Sequence, residues 1–534
     1  MLLGTVGAAA LIPLASACGD NITPQAEGPG VVIIGAGTAG LTAAHFLKQA
    51  GVRADVYEAS MRVGGRMWTD RESYENGQLV ELGGELVDSD HVVMQALCTT
   101  LGLQLDDLPE ATLGLAQDLF FFTNGMGGAP AVIDEAAIVA AFTPVAAKME
   151  MVATIAEGTD DAAADEYARI DAMSIPEFLQ EEAGLAASTL IRRILEVAYT
   201  EEYGLEAAEQ SAWNLIYLID YANPDPFRIF GDSDERFHIH EGSDAVPTRL
   251  AARLDEEQLH FDHALTKVVQ NGDLYELTFA IAGEAQARVV EAAHVIYAIP
   301  FTRLRDVDLE ASGMSEDKLT VIRELGYGTN AKLMMQFSSK PWETGIRKSN
   351  GSVITDVQSG AGANPVELQS VWATSRGQDG VEGILTNFVG GERGVEIGEG
   401  TAEEQAMAVL PLIEQAFPGT AATYKAGSAI RMHWPSYPHA KGSYACYRVG
   451  QWAYFGTERT REGNQHFCGE HTSENYQGYM EGAAESGAMV AGELLDDLEL
   501  AYPPVLATLL SSVTERRAER RRTRLRRPPA RRAG

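Results

Sequence analysis

The sequence predicts an α/β protein in which a discontinuous dinucleotide-binding domain is interleaved with an α+β substrate domain. Three observations carry this. The run Val31-Val32-Ile33-Ile34 breaks into the glycine-spaced turn Gly35-Ala36-Gly37-Thr38-Ala39-Gly40. A stretch rich in Ala, Leu and Glu, from His91 to about Phe237, then separates this unit from a β-rich return. Near the C-terminus a second glycine-rich segment, Gly469-Glu470 with Gly478, runs into a helix over Tyr479 to Leu495. A chain of 534 residues has room for two or three domains. The apolar and charged fractions, 45% and 22%, are those of a soluble globular protein.

Residues 1–28 read as a signal-like apolar segment and linker. Met1 to Ala17 carry no charge, and Leu14-Ala15-Ser16-Ala17-Cys18 resembles a lipoprotein cleavage box with its leucine one place early. No basic residue precedes the apolar run and no twin arginine is present, so we expect the natural start to lie upstream of Met1. On this reading the protein is exported, periplasmic or lipid-anchored through Cys18, and otherwise it is cytoplasmic. No other segment reads as a membrane span. Four cysteines, at 18, 98, 446 and 468, make no disulfide framework, and no Cys/His spacing indicates a metal site.

The cofactor unit begins with the strand at Val31, apolar on both faces as in a buried parallel sheet. Gly35 permits the tight turn, Gly37 lets the backbone approach a pyrophosphate, and Gly40 allows close helix–strand packing. The helix that opens there directs unpaired N–H groups and the positive end of its dipole at phosphate. The next strand-like run, Ala54 to Tyr57, ends on Glu58, placed to accept from a ribose hydroxyl. This unit spans residues 29–90. Residues 91–237 read as the helical part of the substrate domain and 238–310 as a return to the cofactor domain, with strands at Leu259-His260-Phe261, Ala264 to Val269, Leu274 to Phe279 and Val289 to Ile299. Residues 311–424 supply the substrate-domain sheet, 425–500 the last cofactor part, and 501–534 an arginine-rich tail read as disordered.

The net charge of −35 is unevenly placed: Glu515 to Arg532 holds ten arginines against two acids, so the body is more acidic still. An acidic body argues against nucleic-acid binding. Two readings stay open for it, attraction of cationic substrates or solubility alone. The tail is either a polyanion-binding arm or sequence without a role.

Further motifs choose among dinucleotides. Arg62-Val63-Gly64-Gly65-Arg66 can cradle a phosphate with two guanidinium groups. In Glu81-Leu82-Gly83-Gly84-Glu85-Leu86, paired glycines let backbone lie flat against a planar ring, and Glu470 can bond a polyol chain. Taken together in this order, over about Val31 to Leu495, these motifs resemble the FAD-dependent amine oxidases, which include monoamine, polyamine and L-amino-acid oxidases. The resemblance implies a Rossmann-like FAD-binding domain of the glutathione-reductase type. It implies that Gly35, Gly37, Ala39, Gly40, Glu58, Ala59, Arg62, Gly65 and Arg66 hold the ADP half. Leu82, Gly83, Gly84 and Glu85 would lie along the flavin, Val268 would pair with adenine through its backbone, and Gly469, Glu470, Gly478, Tyr479 and Met480 would meet the ribityl chain and pyrimidine edge.

The same likeness assigns the chemistry. Lys332, in Gly326-Tyr327-Gly328-Thr329-Asn330-Ala331-Lys332, matches a lysine that reaches flavin N5 through water; the competing reading is a snorkelling surface lysine. Trp434 would pack beside the flavin, and Tyr444 and Tyr479 would wall the substrate nitrogen; otherwise these rings are plain core. Ser443 stands where animal monoamine oxidases carry the cysteine that bonds FAD, so the FAD is expected to be non-covalent. The implied reaction takes a hydride from an amine's α-carbon, gives an imine that hydrolyses to an aldehyde or keto product and ammonia, and returns electrons to O2 as H2O2.

Leu86 replaces the carboxylate-binding arginine of snake-venom amino-acid oxidases, while Glu85 and the acidic body lean toward amines, diamines among them. Trp372 reads equally as pocket or core. An amine oxidase is therefore the first reading, and an L-amino-acid oxidase the alternative. Polyamine oxidase, flavin desaturase and a non-catalytic flavin-binding protein also stay open, and the assembly is left open, a homodimer included.

Overall fold

A computed structural model describes residues 30–123, 128–158, 160–359 and 365–523, with side chains to 516. The signal-like segment and Cys18 lie outside the described residues. Five parallel strands form the central sheet, in the order Leu259–His260, Ala54–Tyr57, Val31–Ile34, His294–Tyr297, Gln465–Phe467. Three distant parts of the chain thus meet side by side. Val31 to Ile34 are all buried, which explains why that strand is apolar at every position rather than alternating. One face of the sheet packs on the helices Thr38–Gln49 and Met480–Asp497, through Leu41, Phe46, Ile33, Ile296 and Leu494.

A second sheet of seven strands runs in the order Ile430–His433, Ala331–Phe337, Gly383–Val389, Glu367–Ala373, Val353–Gln358, Leu119–Thr123, Pro130–Val132. Ala331 to Phe337 is buried throughout, covered on one side by the helix Ala402–Ala416. A smaller four-stranded sheet, Arg288–Ala292, Leu274–Ile281, His263–Asn271 and Asp308–Ala311, flanks the parallel one. A helical layer, Glu135–Ala156, Asp161–Asp171, Ile175–Glu181, Leu190–Tyr203 and Ala212–Leu218, packs around Trp213, Phe142 and Tyr199 in a core continuous with Val32, Ile34 and Tyr297 of the parallel sheet.

Four expectations change. The stretch 91–237 is not wholly helical, because Leu119–Thr123 and Pro130–Val132 join the seven-stranded sheet. Ile430–His433 pairs with Ala331–Met334, so the sequence from 425 crosses the substrate-side sheet before returning to the cofactor side. The tail read as disordered starts as a helix, Pro504–Thr523, which buries Leu506, Leu509 and Val513 against the core beneath Met480–Asp497. Its apolar residues, spaced three and four apart, were masked in sequence by the arginines that follow. Finally, Glu135–Ala156 is long and apolar enough to cross a membrane, yet its Ile138, Phe142, Val145, Met149 and Val152 face the helical core.

Candidate active site

A cavity of about 550 Å³ opens at the C-terminal ends of the parallel strands and extends to the seven-stranded sheet. Its first wall is the glycine turn. Gly35 has φ of 104°, and a Cβ there would lie 2.8 Å from the Ala298 carbonyl oxygen, so no side chain fits. A Cβ on Gly40 would lie 2.2 Å from the Gly35 carbonyl oxygen. Gly40 therefore sets how closely the helix approaches the strand and does not itself line the cavity. At Gly37 a Cβ would meet nothing within 4 Å. The space above this helix N-terminus is open and lined by backbone, which suits a phosphate.

The loop from Arg62 to Arg66 folds over that space, with the Gly64 N–H donating to the Ala36 carbonyl at 2.9 Å. Glu58 is locked at the end of its strand: Ala36 N–H and Ser60 N–H each donate to its carboxylate at 2.9 Å. Arg62 donates to the carbonyls of Val63 and Gly65 and stacks over Trp68 at 4.0 Å, leaving its Nε without a partner. Arg66 bridges the Ser443 carbonyl at 2.6 Å and Glu470 at 2.7 Å. Glu470 in turn accepts from the Gly478 N–H at 2.9 Å. These bonds tie the first and last parts of the chain together across the cavity.

The opposite wall is built on Gly83 and Gly84. A Cβ on Gly83 would lie 1.8 Å from the Arg66 carbonyl oxygen and 3.0 Å from the Trp434 ring, while at Gly84 it would meet the Met480 side chain at 2.7 Å. Trp434 is buried, and its indole N–H donates to the Leu82 carbonyl at 3.1 Å. Lys332 projects from its buried strand into the same wall. Its ammonium donates to the Gly83 carbonyl at 2.7 Å, to Glu85 at 2.8 Å and to the Glu81 carbonyl at 3.2 Å. Glu85 also accepts from Trp372 Nε1 at 3.0 Å and from the Thr374 hydroxyl at 2.9 Å. Burial opposes its charge, but the Lys332 ammonium and these donors hold its pKa below the ordinary value. Lys332 is thus a buried, fully bonded cation and not a snorkelling one.

Tyr444 and Tyr479 both line the cavity. Their link is Glu202: its backbone carbonyl accepts from the Tyr444 hydroxyl, and its carboxylate bonds Tyr479. Around Glu202 stand Asp88, Glu201, Asp234 and Glu235. Desolvation and neighbouring carboxylates raise the pKa of four of these acids: Glu201, Asp88 to about 6, Glu202 to about 7 and Glu235 to about 8. Sequence reading missed this acidic wall, since single acids scattered over 88–235 carry no signal in a chain so rich in them. Trp372, left undecided between pocket and core, lines the cavity.

Two assignments move. Val268 is fully buried opposite Leu277 and does not reach the cavity. His263, Ala264 and Leu265 line it instead, ahead of a register shift between Leu265 and Lys267 that the sequence does not show. Leu82 also stands back from the cavity, packing beside Trp434 and contributing only its backbone.

The chain belongs to the family of flavin containing amine oxidoreductases, which it matches over residues 38–495. It is accordingly an oxidoreductase with a flavin cofactor. An L-amino-acid oxidase of Siganus canaliculatus is 26% identical over 86% of this chain and 84% of its own length. A pseudooxynicotine dehydrogenase of Pseudomonas sp is 25% identical over 88% and 86%. A peroxisomal N(1)-acetyl-spermine/spermidine oxidase of Homo sapiens is 26% identical over 79% and 84%. In fold the chain is similar to putrescine oxidase bound to putrescine and to cyclohexylamine oxidase from Brevibacterium oxydans. Each gives a TM-score of 0.71 at 21% identity, over 88% of this chain and 99% of the other.

Proposed function

We propose that this protein is an oxidase of amines that carry a second positive charge, with FAD held non-covalently on a Rossmann-like parallel sheet. The observation that carries the substrate class is the group of acids Asp88, Glu202 and Glu235 lining the same cavity as Lys332. Gly37, the Arg62–Arg66 loop and Glu58 fit the phosphates and ribose of a dinucleotide, and Ser443 offers no thiol for a covalent link. When bound, FAD supplies the hydride acceptor and passes electrons to O2, giving H2O2.

The chain's own residues do the rest. Tyr444 and Tyr479 confine one amine nitrogen and exclude water from it, so that the α-carbon is presented in one orientation. Lys332 places a fixed positive charge where negative charge develops. Glu85 keeps that charge aimed by accepting from Lys332 while Trp372 and Thr374 fix the carboxylate. The acidic wall receives the distal ammonium as its carboxyls ionise.

An L-amino-acid substrate is the second reading, favoured by the Siganus relative. Against it, the described arginines of the cavity already have partners: Arg66 pairs with Glu470, Arg228 with Asp220 and Arg303 with Asp306, while Arg62 serves backbone carbonyls. A peroxide-coupled assay comparing a linear diamine, the monoamine of equal length and the twenty amino acids decides between them. We expect the diamine to have the highest kcat/KM. Faster turnover of any amino acid, or equal turnover of the monoamine, overturns the proposal.

A further inference from the structure

We propose that His294, His466 and Asp497 form a site for a divalent late transition metal, Zn2+ foremost, at the edge of the sheet away from the flavin cavity. The sheet register brings the histidines together. His466 lies directly opposite Ile296 on the neighbouring strand. His294, two residues before Ile296, projects from the same face because strand side chains alternate. The two imidazole rings stack with centroids 5.9 Å apart. The C-terminal end of the helix Met480–Asp497 covers them, presenting Glu493 and Asp497 from successive turns of one helix face.

Three features coincide at this cluster, the first shared with other buried histidines and the other two particular to the geometry here. His294 Nδ1 and His466 Nε2 are both buried and have no hydrogen-bond partner, although buried ring nitrogens ordinarily find one. One ligand atom from each of His294, His466 and Asp497 lies within 4.8 Å of the others. Tetrahedral zinc with bonds of about 2.0–2.2 Å needs separations of roughly 3.3–3.6 Å, a closure that small side-chain rotations supply. Finally, His466 Nδ1 stands 3.4 Å from the Glu493 carboxylate. A proton on Nδ1 shared with Glu493 leaves the Nε2 lone pair free and turned toward Asp497, 3.9 Å away. A carboxylate orienting a metal-binding imidazole through its other nitrogen is the recurrent outer-shell arrangement.

The site has a competitor. Arg461 holds Asp497 at 2.6 Å, and Arg459 reaches Glu493 at 3.5 Å. A metal must share or displace the Arg461 contact. The negative end of the helix dipole favours a cation at the same place, and the exposed side of Asp497 leaves room for water as a fourth ligand. Because the three ligands come from two strands and a helix, the metal would clamp the C-terminal helix to the sheet without taking part in the chemistry.

Titration calorimetry of the FAD-loaded, metal-stripped full chain with Zn2+ tests this, with Co2+ as a spectroscopic substitute. We expect one equivalent to bind, and Co2+ to give tetrahedral visible bands to the red of the flavin. His466→Gln should abolish both. In case that buried change unfolds the chain, Asp497→Asn at the helix end and Glu493→Gln should each weaken binding about tenfold. Arg461→Gln, which frees Asp497, should strengthen it while leaving oxidase turnover unchanged. Absence of saturable binding, or binding that none of these variants alters, overturns the proposal.

Discussion

In the mechanism we propose, Lys332 carries the charge stabilisation, and its surroundings make its removal doubly informative. It is 5% exposed, with Glu85 as its buried counter-ion. Lys332→Met should slow flavin reoxidation by about a hundredfold, measured by stopped-flow mixing of reduced enzyme with O2, while FAD stays bound. An unchanged rate would remove Lys332 from the mechanism. The same substitution strands the Glu85 carboxylate, at a cost of about 3–5 kcal/mol in stability. Adding Glu85→Gln should recover most of that loss in urea unfolding without recovering reoxidation. This separates the structural half of the pair from the catalytic half.

The acidic wall gives a pH signature at the same scale. Desolvation, and after it the charge of Asp88, raise Glu202 to about 7 and Glu235 to about 8. Below these values the carboxyls are neutral and attract no cation. The KM for a diamine should therefore fall as pH rises through about 6–8, beyond the rise in turnover that any amine shows as its reacting nitrogen loses its proton. Glu202→Gln should flatten that limb for the diamine and leave the monoamine profile alone. Superimposable profiles for the two substrates would count against the assignment of the wall.

Among the elements, the junctions matter more than the elements themselves. Gly83 joins the first cofactor segment to Trp434, and a Cβ there collides with the Arg66 backbone at 1.8 Å. Gly83→Ala should therefore yield protein that loses flavin on gel filtration, whereas Gly30→Ala, where a Cβ meets nothing within 4 Å, should retain it. The C-terminal helix Pro504–Thr523 makes a second junction. Leu509 is 5% exposed in the core beneath Met480–Asp497. Leu509→Ala should destabilise the chain by about 2–5 kcal/mol, read as a lowered thermal midpoint, while Val505→Ala on the outer face should leave it unchanged.

The glycine turn, the strand at Val31 and the helix after it were legible because each is local: strand, turn and helix are encoded within twenty residues. Lys332 and Glu470 were picked out by the resemblance of their segments to the amine oxidases. The helix Pro504–Thr523 was not, because the arginines of its last turns and of the segment beyond outweighed three apolar residues. Val268 was misplaced by a register shift, which depends on the partner strand and leaves no trace in its own segment.

For the whole molecule, charge and burial act together. Burial raises the folded-state pKa of Asp88, Glu202, Glu458 and Glu481, the last to about 8. An acid whose pKa is higher folded than unfolded binds more protons when folded, so stability is lost as pH rises from its unfolded value through its folded one. The net charge of −35 adds self-repulsion in the same direction. The flavin-free chain should therefore unfold at a lower temperature at pH 8.5 than at pH 5.5, and salt should narrow the gap. A midpoint that rises over this interval would refute that account.

By itself the sequence determined the class of cofactor site, since phosphate binding needs only a local turn, a helix N-terminus and a few named side chains. It singled out Lys332 only through the resemblance to the amine oxidases, with a surface lysine as the competing reading. Only the tertiary structure decided what Lys332 is paired with, which acids line the cavity with it, and which histidines meet at the far edge of the sheet. Those are contacts between residues more than a hundred positions apart, such as Glu85 with Lys332 and His294 with His466. They are set by strand register and packing, which no single segment encodes.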